Sequence, residues 1–119
     1  EDRTELAELK IPVATVGEIR DQGAAALAGG IVRSLKSPEL DGYWVHLDAD
    51  VLDPSVMPAV DSPDDGGLLP GELGPLLRTL VASPRCVGLN VTVYNPDLDP
   101  DGTAGALLTD LVVAAFAEV

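Results

Sequence analysis

The sequence predicts an α/β fold built on parallel strands. Strand-like and helix-like stretches alternate along the chain, a pattern that requires crossover helices between parallel strands. Apolar residues make up 46% of the chain but aromatics only 3%. The core is therefore built from Ala, Val, Leu and Ile, as buried parallel sheets and their covering helices usually are. One apolar run, Tyr43 to Asp48, ends abruptly in carboxylates, and sites in such sheets form at the carboxyl ends of strands.

Taken in order, Glu1 to Lys10 is charged, with Leu6 and Leu9 on one side, and reads as the tail of a helix. Ile11 to Val16 is a short β-branched run and reads as a strand closed by Gly17. Glu18 to Leu35 reads as one helix. Ile19, Ala26, Leu27, Ile31 and Leu35 recur at helical spacing, with Asp21 near the start and Arg33 and Lys36 near the end. Pro38 marks the turn into the central strand, Tyr43 to Asp48. A loop from Asp53 to Gly71 follows, its path constrained by Pro54, Pro58, Pro63 and Pro70; a loop this long is usually functional or disordered. Glu72 to Val81 is an amphipathic helix with Leu73, Leu76, Leu77 and Leu80 on its apolar face. Arg85 to Val93 is a further buried strand and Tyr94 to Gly102 a polar loop. Thr103 is expected to cap a last helix, Ala104 to Ala117, apolar nearly all round and so buried.

At 119 residues the chain amounts to about one small domain. Its net charge is −13, from 20 acidic and 7 basic residues. That balance argues against nucleic acid and anionic membrane as partners, since both need a basic footprint. It suits a cytoplasmic protein or one that binds cations. The single cysteine, Cys86, excludes an internal disulfide. No 18-residue apolar run exists, and the first ten residues are no signal peptide.

The chemistry gathers after the central strand. Strand residues two apart share a face, so an extended Tyr43 to Asp50 would set Trp44, His46, Asp48 and Asp50 on one side. Two carboxylates together repel and lose hydration, and a divalent metal is the simplest way to neutralise them. A pair of solvated loop residues is the plainer explanation of a bare Asp-x-Asp. Trp44 and Cys86 are expected in the core, and His46 is expected to pack rather than to bind metal.

The wider pattern is more specific than the dyad. Asp48, Asp50, Asp53, Pro54, Pro58, Gly66 and Gly67 stand in an order that resembles the last signature of the ureohydrolase family, which includes arginase, agmatinase and formiminoglutamase. The closing stretch from Val91 through Asn95 and Pro96 into the last helix resembles that family's end. The resemblance covers essentially residues 1–119, but only the C-terminal part of the family's single domain, with the N-terminal part missing. It implies a three-layer α/β/α domain around a mainly parallel sheet. It also implies two manganese ions that activate a water to attack a guanidino or related amidine carbon, releasing urea or formamide. On that resemblance Asp48 bridges the two metals and Asp50 binds one of them, while Asp53 and the prolines shape the loop. Assembly as a homo-oligomer, a trimer or hexamer, is implied as well.

The departures are equally definite. The family's other metal ligands lie in two upstream His-containing motifs, and this chain has His46 alone, where the family has Ser or Thr. Ala49 replaces a larger aliphatic residue and Asp61 a glycine. The family's substrate-holding acid before Asn-Pro is matched by Thr92, Val93 and Tyr94, which argues against plain arginase or agmatinase specificity. With two of about six ligands, the isolated chain is expected to be inactive.

Three other readings stay open. A non-catalytic relative with a structural or assembly role fits the departures. The run from Val45 to Leu52 also resembles the opening motif of haloacid dehalogenases, in which Asp48 would be a phosphoryl-accepting nucleophile and Asp50 its acid/base partner. Asp97, Asp99, Asp101 and Gly102 match the start of an EF-hand loop, but Leu108 stands where the closing Glu should be. A polar turn explains that stretch better.

Overall fold

The computed structural model describes residues 12–117. The helix expected over Glu1 to Lys10 lies outside them. In chain order the elements are α1 (Val16–Gln22), α2 (Ala24–Ser34), β1 (Tyr43–Asp48), α3 (Pro70–Ala82), β2 (Cys86–Thr92) and α4 (Thr103–Phe116). Single 3₁₀ turns follow each strand, at Ala49–Val51 and Pro96–Leu98.

The two strands pair in parallel, with Val45 opposite Leu89, His46 opposite Asn90, Leu47 opposite Val91 and Asp48 opposite Thr92. Residues so paired face the same side of the sheet. Val45 and Leu47 point into the core, where they join Leu52, Met57, Leu73 and Leu77. Helix α3 lies at the centre of the helical layer, packed against α2, α4 and β2. Its Leu73 and Leu77 are almost fully buried, and Leu76 and Leu80 are partly buried against the same cluster. The expected apolar face of this helix is thus the one it uses. Among the described residues the opposite face of the sheet is open, and Trp44 is 59% exposed there. Tryptophan at this position is therefore not core. Cys86 is only half-buried.

Four local expectations are corrected. The strand expected at Ile11 to Val16 is irregular from 12 to 15, and Val16 already begins α1. The reason is Thr15, whose hydroxyl accepts from the Glu18 amide at 3.1 Å and caps the helix. The single helix from Glu18 to Leu35 is instead two, broken at Gly23 with φ +88°. Helix α4 is not capped by Thr103. The carboxylate of Asp99 accepts from the Ala104 amide at 3.0 Å and the Gly105 amide at 2.8 Å, and also from the Tyr94 hydroxyl at 2.6 Å. Nor is α4 buried all round: Ala104, Leu108 and Ala115 face inward, while Val113 and Phe116 are exposed.

The long loop between β1 and α3 belongs to the core. Met57, Ala59 and Val60 are almost completely buried. Its neck is closed by backbone hydrogen bonds from Asp53 N to Leu68 O at 2.9 Å and from Leu68 N to Val51 O at 2.8 Å. No helix among the described residues is long and apolar enough to cross a membrane.

Candidate metal centre

Six aspartates stand at the carboxyl ends of the two strands or just beyond, Asp48, Asp50 and Asp53 after β1 and Asp97, Asp99 and Asp101 after β2, and they are used differently. Asp53 is spent on the loop. Its Oδ2 accepts from the Ser55 amide at 3.0 Å and the Ser55 hydroxyl at 2.5 Å. Its Oδ1 accepts from the Gly66 amide at 3.0 Å and the Gly67 amide at 3.3 Å. These donors, the Ser55 hydroxyl foremost, hold the Asp53 carboxyl below the usual carboxylate range against the effect of burial. The close approach explains both glycines. Gly66 has φ +87°, and a Cβ on Gly67 would stand 2.6 Å from the Asp53 amide nitrogen and 2.8 Å from the Val51 carbonyl oxygen.

The same turn is anchored from α1. Arg20 donates through Nε to Glu72 Oε2 at 2.7 Å and through Nη2 to Glu72 Oε1 at 3.1 Å, and reaches the Gly67 carbonyl at 3.3 Å. Glu72 Oε1 also accepts the Leu69 amide at 2.9 Å, closing the first turn of α3. At the end of β2, Asn95 ties the two loops together: its amide nitrogen donates to Ala59 O at 2.8 Å and its Nδ2 to Asp61 Oδ1 at 2.9 Å.

Among the described residues, Asp48 and Asp50 are left with free oxygens. The strand ends at Asp48 and the chain turns, so Asp50 does not continue the strand alternation. Both nonetheless line one cavity of about 370 Å³ between β1 and α3, floored by Leu73, Leu76 and Leu77. Asp50 accepts no hydrogen bond among the described residues. Asp48 accepts two, both at Oδ1: one from the Thr92 hydroxyl and one from His46 Nε2 at 2.7 Å. Thr92 first and His46 second draw the Asp48 carboxyl below its ordinary range, opposed by burial. His46 is exposed on the open face rather than packed. Its ring is held by its cross-strand neighbour Asn90, whose Nδ2 lies 2.8 Å from Nδ1.

Residue chemistry matches a divalent cation in part. Two carboxylates facing one cavity suit an oxygen-seeking ion such as manganese. Among the described residues, however, no group of three or more His, Cys, Asp or Glu side chains comes together to hold a metal. The dyad is part of a donor set. Asp99 caps α4 and Asp101 accepts the Thr103 amide at 3.1 Å, whereas Asp97 is engaged only through its backbone amide, which donates to Asn95 Oδ1 at 3.0 Å. Arg20 and Asn90 have no signal in the sequence alone, and Thr92 is marked there only as standing in place of an acid. Only the register of β1 against β2 brings Asn90 and Thr92 to His46 and Asp48.

Residues 1–117 match the family model described as the arginase family. An arginase from Agrobacterium fabrum is 31% identical over 98% of this chain and 36% of its own length. Among solved structures, an arginase from Bacillus subtilis superposes with a TM-score of 0.87 and 26% identity, covering 98% of this chain and 41% of that one. A proclavaminate amidino hydrolase from Streptomyces clavuligerus gives 0.80 and 27%, covering 97% and 37%. The chain thus spans 36% to 41% of the length of these relatives.

Proposed function

The chain belongs to the arginase family, and from that premise we propose that it is the C-terminal portion of a manganese-dependent hydrolase. The reaction is cleavage of a C–N bond in a guanidino or related amidine compound, with release of urea or formamide. The observation that carries this reading is the contrast within one signature. Asp53 is fully engaged by backbone and Ser55 donors, while among the described residues Asp48 Oδ2 and both Asp50 carboxylate oxygens accept no hydrogen bond, and both residues line one cavity.

In this reading Asp48 and Asp50 hold the cation, and the other ligands come from the part of the domain that this chain does not span. Manganese, when bound, supplies a water-derived nucleophile at neutral pH. The chain's own residues fix the geometry. Thr92 and His46 orient the Asp48 carboxylate, and the Asp53 clasp sets the path of the loop behind Asp50. Arg20 and Glu72 hold that clasp against α1 and α3. Assembly into trimers or hexamers and a cytoplasmic location belong to the same proposal. A non-catalytic relative is the second reading, favoured by the absence of an acid at Thr92, Val93 and Tyr94.

The test is urea and formamide release by the complete protein with Mn²⁺, using arginine, agmatine and formiminoglutamate. Turnover of one of them, lost in Asp48→Asn and Asp50→Asn, is the expected result. A complete, folded protein that binds Mn²⁺ and hydrolyses none of the three moves the assignment to the non-catalytic reading. The chain of 119 residues by itself is expected to stay at background.

A further inference from the structure

This chain sets 7 basic residues against 20 acidic ones, yet Arg33, Lys36 and Arg85 line a single cleft. The cleft is an open cavity of about 530 Å³ between the carboxyl ends of α2 and α3, and no acidic side chain lines it. None of the three cations forms an ion pair among the described residues. Arg33 folds back along α2, where two glycines leave it room. A Cβ on Gly29 would stand 3.4 Å from its Nη1 and one on Gly30 3.8 Å from its Nη2. Arg85 is built in from the other side. Its Nη2 donates to the Ser37 carbonyl at 3.2 Å and to the Leu40 carbonyl, and its backbone amide donates to Ser83 Oγ at 3.2 Å. Its Nε is buried with no hydrogen-bond partner among the described residues. Such a group costs desolvation energy until something accepts its proton.

A cation at a helix carboxyl end offsets the helix dipole, which accounts for one such residue per helix but not for the sum. Two helix ends contribute roughly −0.5 each against three full positive charges, which leaves about +2 in the cleft. We propose that the cleft binds a divalent oxyanion, phosphate or the phosphoryl group of a small molecule, held by Arg33, Lys36 and Arg85. The planar fork of a guanidinium matches phosphate oxygens. The cleft lies at the amino ends of the strands, because residues 37–42 lead into β1 and Arg85 immediately precedes β2. Asp48 ends β1 on the far side, and a six-residue strand spans roughly 20 Å. An anion in the cleft is therefore an effector and not a substrate. It ties α2, α3 and the starts of both strands together, behind the sheet that carries the dyad. The inference is independent of the reaction proposed above.

The test is titration calorimetry of the complete protein with inorganic phosphate, against chloride at equal ionic strength. One-to-one binding is expected. Arg33 and Lys36 are both exposed, so their substitution leaves the core intact. The double variant Arg33→Gln, Lys36→Gln is expected to weaken binding at least tenfold. Arg78→Gln removes a charge on α3 outside the cleft and is expected to bind as the parent does. Phosphate also stabilises folded proteins by exclusion from their surface, so Tm is read as a difference: phosphate should raise the parent more than the double variant. A flat titration of the parent overturns the proposal. So does binding that survives in the double variant, which would place the anion elsewhere, and so does equal weakening in Arg78→Gln, which would make the effect one of net charge. A titration with glycerol phosphate separates the two sources. Tighter binding than inorganic phosphate identifies a phosphorylated small molecule and equal or weaker binding the free ion, and either result upholds the site.

Discussion

The loops leaving the two strands are each shaped by one carboxylate, yet they differ in what they leave over. After β1, Asp53 draws in Ser55, Gly66 and Gly67 and closes the loop, so Asp48 and Asp50 just before it need no structural duty. After β2, Asp99 is spent in the same way on α4 and Tyr94. There Asp101 accepts the Thr103 amide, and only the Asp97 carboxylate accepts no hydrogen bond among the described residues, so no second pair like Asp48 and Asp50 lines a cavity beside the strand end. A run of aspartates at a strand end is therefore no guide to a site by itself. Asp53 and Asp99 are braces because backbone amides already fill their oxygens.

The largest test of this comparison sets one glycine of each loop against the other. Gly67→Ala pushes a Cβ into backbone at 2.6 Å, and backbone cannot swing aside. Gly102 has φ +75° but nothing within 4 Å of a Cβ. Gly67→Ala is expected to cost about 1–3 kcal/mol and Gly102→Ala about 1 kcal/mol, read by chemical denaturation. A larger loss at Gly102 would make the second loop the tighter one.

Acid separates the braces from the candidate ligands next. Asp53 and Asp99 have carboxyl groups below the ordinary range, Asp53 chiefly through Ser55 and Asp99 chiefly through the Tyr94 hydroxyl. A depressed folded-state pKa adds stability that is complete above the unfolded pKa, near 4. That stability is lost as pH falls toward the folded value. Thermal unfolding is expected to be flat from neutrality to about pH 5 and to drop below it. In Asp53→Asn and Asp99→Asn the neutral-pH Tm should fall and the acid slope should flatten. Asp48→Asn should lower Tm less than either.

A smaller effect runs the other way. Val93, just past β2, is the one non-glycine described residue with positive φ, at 77°. A β-branched residue pays about 1–2 kcal/mol for that conformation. Val93→Gly is expected to stabilise the chain by about 1 kcal/mol after its own entropy cost; a destabilised variant would mean that the valine side chain repays its strain by packing. The smallest effect belongs to Asp61→Gly, which removes only an exposed contact to Asn95. Its stability should stay within about 0.5 kcal/mol of the parent.

Much of the architecture was legible because it rests on periodicity. The Tyr43–Asp48 strand and the leucine face of α3 follow directly from alternation and from helical spacing. The failures came where one side chain overrules a pattern. Thr15 turns a β-branched run into a helix start, Gly23 splits a helix that the apolar spacing joined, and Asp99 displaces Thr103 as a cap from four residues upstream. Asp48 and Asp50 could be named from the signature. The cross-strand partners could not, since Asn90 lies 44 residues along the chain from His46, and Thr92 lies 44 from Asp48.

The closed neck of the first loop has a practical side. Its near half is pinned by Met57, Ala59 and Val60, while 61–66 lie on the surface. With the ends already zipped together, extra residues in that outer arc add only loop-closure entropy, about 0.6 kcal/mol for each doubling of length. The stretch at Asp64 and Asp65 is thus a natural splice point. A peptide tag or a reporter group inserted there would hang from a clasp whose residues the insertion leaves in place.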